Sequence, residues 1–230
     1  MLELFPGEIS GVMMYYLQYE NIVCRVMKGH YVVRHAGHIT AADRAQLLRQ
    51  RSLTAWITGL SGAGKSTLAF ALERYLITHG QACYVLDGDN VRHGLNKDLG
   101  FSHESRTENI RRVAEVAHLM NDAGLIVIAA FISPYHDDRA MARQIIGEDK
   151  FIEIHLSTPL SVCEQRDPKG MYKKAKAGEI AVFTGVSAPY EVPLAAALTL
   201  DTSAMDVAAC INRMAEVLSP YIDSKLSQAG

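Results

Sequence analysis

Gly59-Leu60-Ser61-Gly62-Ala63-Gly64-Lys65-Ser66-Thr67 fits the pattern of a glycine, four residues and then Gly-Lys-Ser that cradles phosphate groups. Its surroundings fit as well. Residues 53–58 are a short apolar, β-prone run, and Leu68-Ala69-Phe70-Ala71-Leu72 begins a helical pattern. Glycines let successive backbone N–H groups point at phosphate oxygens, and the helix start adds the positive end of its dipole. In that frame Lys65 reaches the β- and γ-phosphates and the Ser66 hydroxyl ligates Mg²⁺. A glycine-rich turn before an ordinary helix is the plainer alternative. Strand, loop and helix in register favour a nucleoside triphosphate site.

The chain of 230 residues is 49% hydrophobic and carries a formal net charge of −2. That composition supports one cored domain with an appendage and argues against a general nucleic-acid binder. Cys24, Cys83, Cys163 and Cys210 are scattered without metal-type spacing, which reads as reduced thiols in a cytoplasmic protein. No apolar run approaches the ~20 residues of a membrane span.

Residues 1–33 read as an N-terminal extension and residues 34–230 as the main domain. Within the extension, residues 1–28 show no helical or strand period. The run Val12-Met13-Met14-Tyr15-Tyr16-Leu17 is too short for a signal-peptide core and follows Glu3 and Glu8 rather than a basic region. Either the extension is an arm that packs on the domain or on a partner subunit, or translation starts at Met13, Met14 or Met27. His30, His35 and His38 have no carboxylate or Cys at ligand spacing to complete a metal site. Thr40 is placed to cap the first helix.

Beyond Lys65 the pattern alternates. Helices are expected at 65–79, 104–122, from Pro134 onward, at 159–166 and at 206–218. Strands are expected at 82–86, 125–131, 151–156 and 197–200, after the first at 53–58. The nearly continuous apolar run at 125–131 marks a central parallel strand covered on both faces. Five strands alternating with helices imply a three-layer α/β fold with a mostly parallel sheet. In such folds ligands sit beyond the carboxyl ends of the strands.

That rim carries the remaining chemistry. Asp87 and Asp89 follow a strand directly, where a magnesium-bearing phosphoryl site needs a carboxylate, although Asp-Gly-Asp-Asn is also a turn former. Arg92 and Arg106 lie close to the rim, where guanidinium forks suit phosphate or sulfate oxygens; Arg111 and Arg112 read rather as a solvated helix face. Ser133 precedes Pro134, and position alone favours a helix cap over a binding residue. Residues 169–176 concentrate four lysines. These form either a solvated face or a mobile lid over the phosphates. Phe183, in a polar loop, fills a core gap or stacks on a purine.

Together these segments resemble the adenylyl-sulfate kinase family. The resemblance rests on GLSGAGKST (59–67), DGDNVRHGLNKDLGF (87–101), RTENIRR (106–112), FISP (131–134), RDPKGMYKKAKAGE (166–179) and FTG (183–185), in that order. It spans about His35 to Leu218 and implies a P-loop NTPase-type fold with a basic lid. It also implies phosphorylation of the 3′-hydroxyl of adenosine 5′-phosphosulfate (APS) by MgATP, giving 3′-phosphoadenosine 5′-phosphosulfate (PAPS). ATP phosphates would lie on Gly59, Leu60, Ser61, Gly62, Ala63, Gly64, Lys65, Ser66 and Thr67. Substrate contacts would come from Asp89, Arg92, Phe101, Arg106, Asn109, Ile132, Ser133, Lys169, Phe183 and Thr184, with Phe101 and Phe183 sandwiching the adenine. The family further implies homodimers and, in some members, association with ATP sulfurylase. Met171 and Lys176 stand where the family usually has Leu and Arg, and residues 188–197 follow its pattern only loosely.

On this reading Lys65 and the lid lysines neutralise the γ-phosphate, Ser66 and Asp87 hold the metal, and Asp89 orients the acceptor hydroxyl. The family describes the FISP serine, here Ser133, as a phosphoserine intermediate. No residue in the sequence supplies it with an obvious base, which favours direct in-line transfer. The rivals are another small-molecule kinase of this architecture and a non-catalytic nucleotide sensor. Lys65, Asp87 and Asp89 together argue against the sensor.

Overall fold

The computed structural model describes residues 4–9, 12–19, 22–26, 35 and 37–222, and its contacts divide the chain into two compact units that part between Thr40 and Ala41. The first unit contains three antiparallel strands, β1 (Leu4–Ile9), β2 (Val12–Tyr19) and β3 (Ile22–Val26), with Leu4 opposite Leu17 and Tyr15 opposite Val26. Strands therefore form where no strand period was expected. Tyr15, Tyr16, Tyr19, Ile22, Val23 and Val26 are strand formers, but the runs do not alternate apolar with polar, which is the signal a period-two reading needs. Met27 and His30 lie outside the described residues.

The second unit opens with α1 (Ala41–Leu48). It then alternates β4 (Thr54–Gly59), α2 (Lys65–Thr78), β5 (Cys83–Asp87), α3 (His103–Asp122), β6 (Ile126–Ala130), α4 (His136–Ile146) and β7 (Phe151–Leu156). Two short helices, α5 (Leu160–Arg166) and α6 (Met171–Lys176), precede β8 (Leu198–Leu200) and α7 (Val207–Ile222). The five strands bond in the order β5-β6-β4-β7-β8 and every pairing is parallel. The expected three-layer α/β fold is present.

Alternate residues of the central strands go to opposite faces. Ala55, Ile57, Ile126 and Ile128 join Leu68, Leu72, Met214 and Leu218 in a core under α2 and α7. Trp56, Val127 and Ala129 join Val113, Ala117, Ala142 and Ile146 under α3 and α4. Burial on both faces is why these strands read as unbroken apolar runs. Strand order reverses about β4, with β6 and β5 on one side and β7 and β8 on the other. The carboxyl end of β4 is therefore the switch point at which such sheets place a ligand. No helix among the described residues is long and apolar enough to cross a membrane.

Candidate active site

The loop between β4 and α2 passes from Gly59 to Lys65, where α2 begins. Its glycines are required by space as well as by torsion. A Cβ on Gly62 (φ +79°) would come within 2.8 Å of the Cys163 carbonyl, and one on Gly59 (φ +152°) within 2.8 Å of the Leu156 carbonyl. Gly64 begins α2 at φ 96° with no side-chain cap, so the first-turn N–H groups are left for an anion. Thr202, just beyond β8, ties the loop down by donating to the Ala63 carbonyl at 2.9 Å.

Lys65 folds back over this loop, and its ammonium donates to the Gly59 and Leu60 carbonyls at 2.9 and 2.7 Å. Burial pushes its pKa down to about 8; the neighbouring Lys169 adds to the shift, while Cys163 and Asp87 oppose it. The Ser66 hydroxyl donates to Asp87 Oδ2 at 2.7 Å. The other Asp87 oxygen accepts from the backbone N–H groups of Asp89 (3.0 Å) and Asn90 (3.3 Å). In Asp-Gly-Asp-Asn, one oxygen of Asp87 closes the turn and the other faces the phosphate loop. Asp89 is exposed and forms an ion pair with Lys169, from the segment just before α6. Ser66 and Asp87 bring hard oxygen donors together at the loop, the donor chemistry that suits Mg²⁺.

Across the rim, Arg92 and Arg106 form a second group. Arg92 donates to the Leu99 and Gly100 carbonyls at 3.1 and 3.0 Å and lies over the Phe101 ring at 4.5 Å. Arg106 donates to the Phe101 carbonyl (2.9 Å) and to the Thr184 hydroxyl (3.1 Å). Burial, and for Arg92 also its neighbour Arg106, lowers both pKa values. Neither guanidinium has a carboxylate partner among the described residues. Arg111 and Arg112, by contrast, pair with Glu108 and Glu115 along α3 and with Asp98 in the connection before it, the solvated face expected of them.

Other expected site residues fall differently. Asn109 is buried and its side-chain oxygen accepts from Asn96 Nδ2 at 3.0 Å. Phe101 is 62% exposed, whereas Phe183 is 6% exposed and packs edge-to-face on Tyr172 at 5.0 Å. The core-filling role of Phe183 is therefore real, and Tyr172 extends it by donating to the Ser61 carbonyl at 2.9 Å, which roots α6 on the phosphate loop. Lys176 is committed to Glu164 at 2.8 Å.

Ser133 is not a helix cap, contrary to what its position favoured. α4 starts at His136 behind Tyr135, and its first N–H is taken by Glu191 Oε2 at 2.5 Å rather than by Ser133. Ser133 is 2% exposed, sits at φ 36°, accepts from Trp56 Nε1 (3.1 Å) and donates to the Thr58 hydroxyl (3.0 Å). Thr58 in turn donates to the Ile132 carbonyl at 2.7 Å and meets the Tyr190 hydroxyl at 3.0 Å. Trp56, Thr58, Tyr172, Tyr190 and Thr202 escaped the sequence reading because each acts through a partner distant in the chain. Trp56 lay unremarked within the apolar run at 53–58.

A parallel sheet carrying a phosphate-binding loop, with an adjacent Ser–Asp pair and a lysine ion-paired to Asp89 at its rim, defines a P-loop kinase. Residues 51–201 match the adenylylsulphate kinase family, and the chain belongs to that family. A relative named adenylyl-sulfate kinase from Shewanella sp. strain MR-7 is 58% identical over 188 residues, covering 82% of this chain and 92% of its own. One of the same name from Bacteroides thetaiotaomicron is 55% identical over 187 residues, covering 81% and 93%. The structure of the Mycobacterium tuberculosis APS kinase in complex with AMPPNP and APS superposes with a TM-score of 0.71 at 46% identity, covering 74% of this chain and 98% of that one.

Proposed function

We propose that this chain transfers the γ-phosphoryl of ATP to the 3′-hydroxyl of APS, giving PAPS and ADP. The observation that carries the reading is the pair Arg92 and Arg106, neighbours at the rim with no carboxylate partner among the described residues. Two adjacent cations left without an acid are suited to the phosphosulfate of an acceptor, and a sugar kinase has no use for them. ATP would lie with its phosphates on residues 59–67. Magnesium would be held by Ser66 and Asp87 and would supply charge neutralisation between the β- and γ-phosphates.

The protein's own part is alignment and electrostatics. Lys65 exchanges its two loop carbonyls for phosphate oxygens. Lys169, ion-paired with Asp89 and near Lys65, would exchange that pair for the γ-phosphate, which frees Asp89 to accept a hydrogen bond from the acceptor hydroxyl. Phe101 stacks on the acceptor adenine from the exposed side, with Phe183 and Thr184 beneath. Ser133 supports the Ile132 segment and takes no phosphoryl group. Its hydroxyl is buried, and its proton is directed at Thr58 rather than at a base.

Homodimerisation follows from the family resemblance, and a solved relative from Thiobacillus denitrificans is described as hexameric. A cytoplasmic setting agrees with free thiols at Cys83, Cys163 and Cys210. The reaction is tested by coupling ADP release to a spectrophotometric readout with ATP and APS, using gluconate and shikimate as control acceptors. ADP release with APS alone is expected; release with either control and not with APS would replace this reading by that of another small-molecule kinase.

A further inference from the structure

The segment after β6 is held in an unusual way. Ser133 has a left-handed backbone at φ 36°, which a side chain rarely adopts unless its surroundings impose it. The carbonyls of Ile132, Ser133 and Pro134 are each taken by a group from elsewhere in the protein. Thr58 donates to Ile132 O at 2.7 Å, Arg139 NH1 to Ser133 O at 2.7 Å, and the Glu191 N–H to Pro134 O at 2.8 Å.

Arg139 is the centre of this arrangement. It is 3% exposed, and the rest of its guanidinium is committed as well. Its Nε pairs with Glu153 on β7 at 2.8 Å, and NH2 donates to Glu191 O at 2.8 Å and meets His136 Nδ1 at 2.9 Å. Beside it Tyr190 places its hydroxyl 3.0 Å from Thr58 and stacks on His155 at 5.9 Å. The loop containing Tyr190 and Glu191 therefore clamps residues 132–134 from behind. A buried ion pair is a poor source of stability compared with apolar packing of the same volume. A rigid fork of donors is well suited to fixing one strained backbone geometry.

We infer that Arg139 and Tyr190 are positioning residues for the acceptor: they hold Ile132 and Ser133 in the single conformation that presents this segment to APS. This rests on the reading of the reaction given above. Neither residue touches the phosphate loop, so the donor side of the site does not depend on them.

The test uses the full chain with Arg139→Lys and Tyr190→Phe, the second a one-atom change that keeps the ring packed. KM for APS, KM for ATP, kcat and thermal midpoint are measured for each variant and for the wild type. Loosening the segment raises KM for APS about tenfold in each variant, the effect of one lost positioning hydrogen bond, with KM for ATP within about twofold. Tyr190→Phe is expected to keep a near-native thermal midpoint, and it carries the test alone if Arg139→Lys does not fold. Unchanged KM for APS in folded Tyr190→Phe, or equal rises in both KM values, would overturn the positioning role while leaving the reaction intact. Absence of APS turnover in the wild type would overturn both.

Discussion

The Ser66 hydroxyl donates a 2.7 Å hydrogen bond to the Asp87 carboxylate, joining the first turn of α2 to the carboxyl end of β5. On the proposed reaction, Ser66 and Asp87 would hold the magnesium ion, which would supply charge neutralisation for the nucleotide phosphates. Asp87→Asn keeps the shape and the turn but removes charge, so the magnesium concentration needed for half-maximal turnover should rise about tenfold or more. Ser66→Ala should act in the same direction. Magnesium titration of initial rates checks both, and an unchanged requirement in Asp87→Asn would remove Asp87 from the metal's surroundings.

Lys65 gives a pH dependence whose sign follows from its environment. Its pKa falls from 10.5 to about 8 in the folded chain, burial being the largest cause. The unfolded chain therefore holds the proton up to higher pH, so this group's contribution makes the fold more stable as pH rises from about 8 towards 10.5. Phosphate binding has the opposite sign, because it needs the ammonium. Affinity for a fluorescent ATP analogue should fall above pH 8, approaching about tenfold per pH unit, while Lys65→Met binds weakly and flatly across that range. A wild-type profile flat from pH 7 to 9.5 would show that Lys65 does not meet the phosphates. Lys65→Ala should abolish turnover and leave the fold intact.

Arg92 and Arg106 should separate acceptor from donor. Each makes charge-assisted bonds, and losing one costs about 1.5–3 kcal/mol, or roughly 10- to 100-fold in KM for APS. Arg106→Ala should show the larger effect, since it also releases Thr184. ATP binding should stay within about twofold. Isothermal titration with each ligand distinguishes this from a general collapse of the site, in which both affinities would fall together.

Ser133 decides between two chemical routes. Direct in-line transfer requires that chiral γ-thiophosphate arrive on APS with inverted configuration, and that Ser133→Ala retain turnover. That variant should lose about 1–2 kcal/mol of stability, because Trp56 loses its buried acceptor and Thr58 a donor. Retention of configuration would establish a phosphoserine intermediate.

The phosphate loop was legible in the sequence because its function is local. Glycine torsions, a lysine and a hydroxyl are contiguous, and the strand and helix that flank them are written in adjacent residues. The position of Asp87 was legible for a related reason, since it ends a strand on the same rim as that loop, where Ser66 reaches it. Ser133 was misjudged because Ser-Pro normally announces a helix start. Here Pro134 and Tyr135 intervene, and partners 75 and 77 residues away turn the side chain inward. Phe183 looked exposed among polar neighbours, yet Tyr172 from α6 supplies an apolar surface that only tertiary folding creates. Arg139 and Tyr190 left no mark at all. A buried arginine reads like any helix-face cation until Glu153 is found beside it.

The most direct measurement is the product of a reaction containing this chain, MgATP and APS, resolved by phosphorus NMR and mass spectrometry. Phosphate on the ribose 3′-oxygen, with one PAPS formed per ADP released, is the expected result. ADP formed without PAPS, or phosphate at another position of the acceptor, would contradict the assignment of this site.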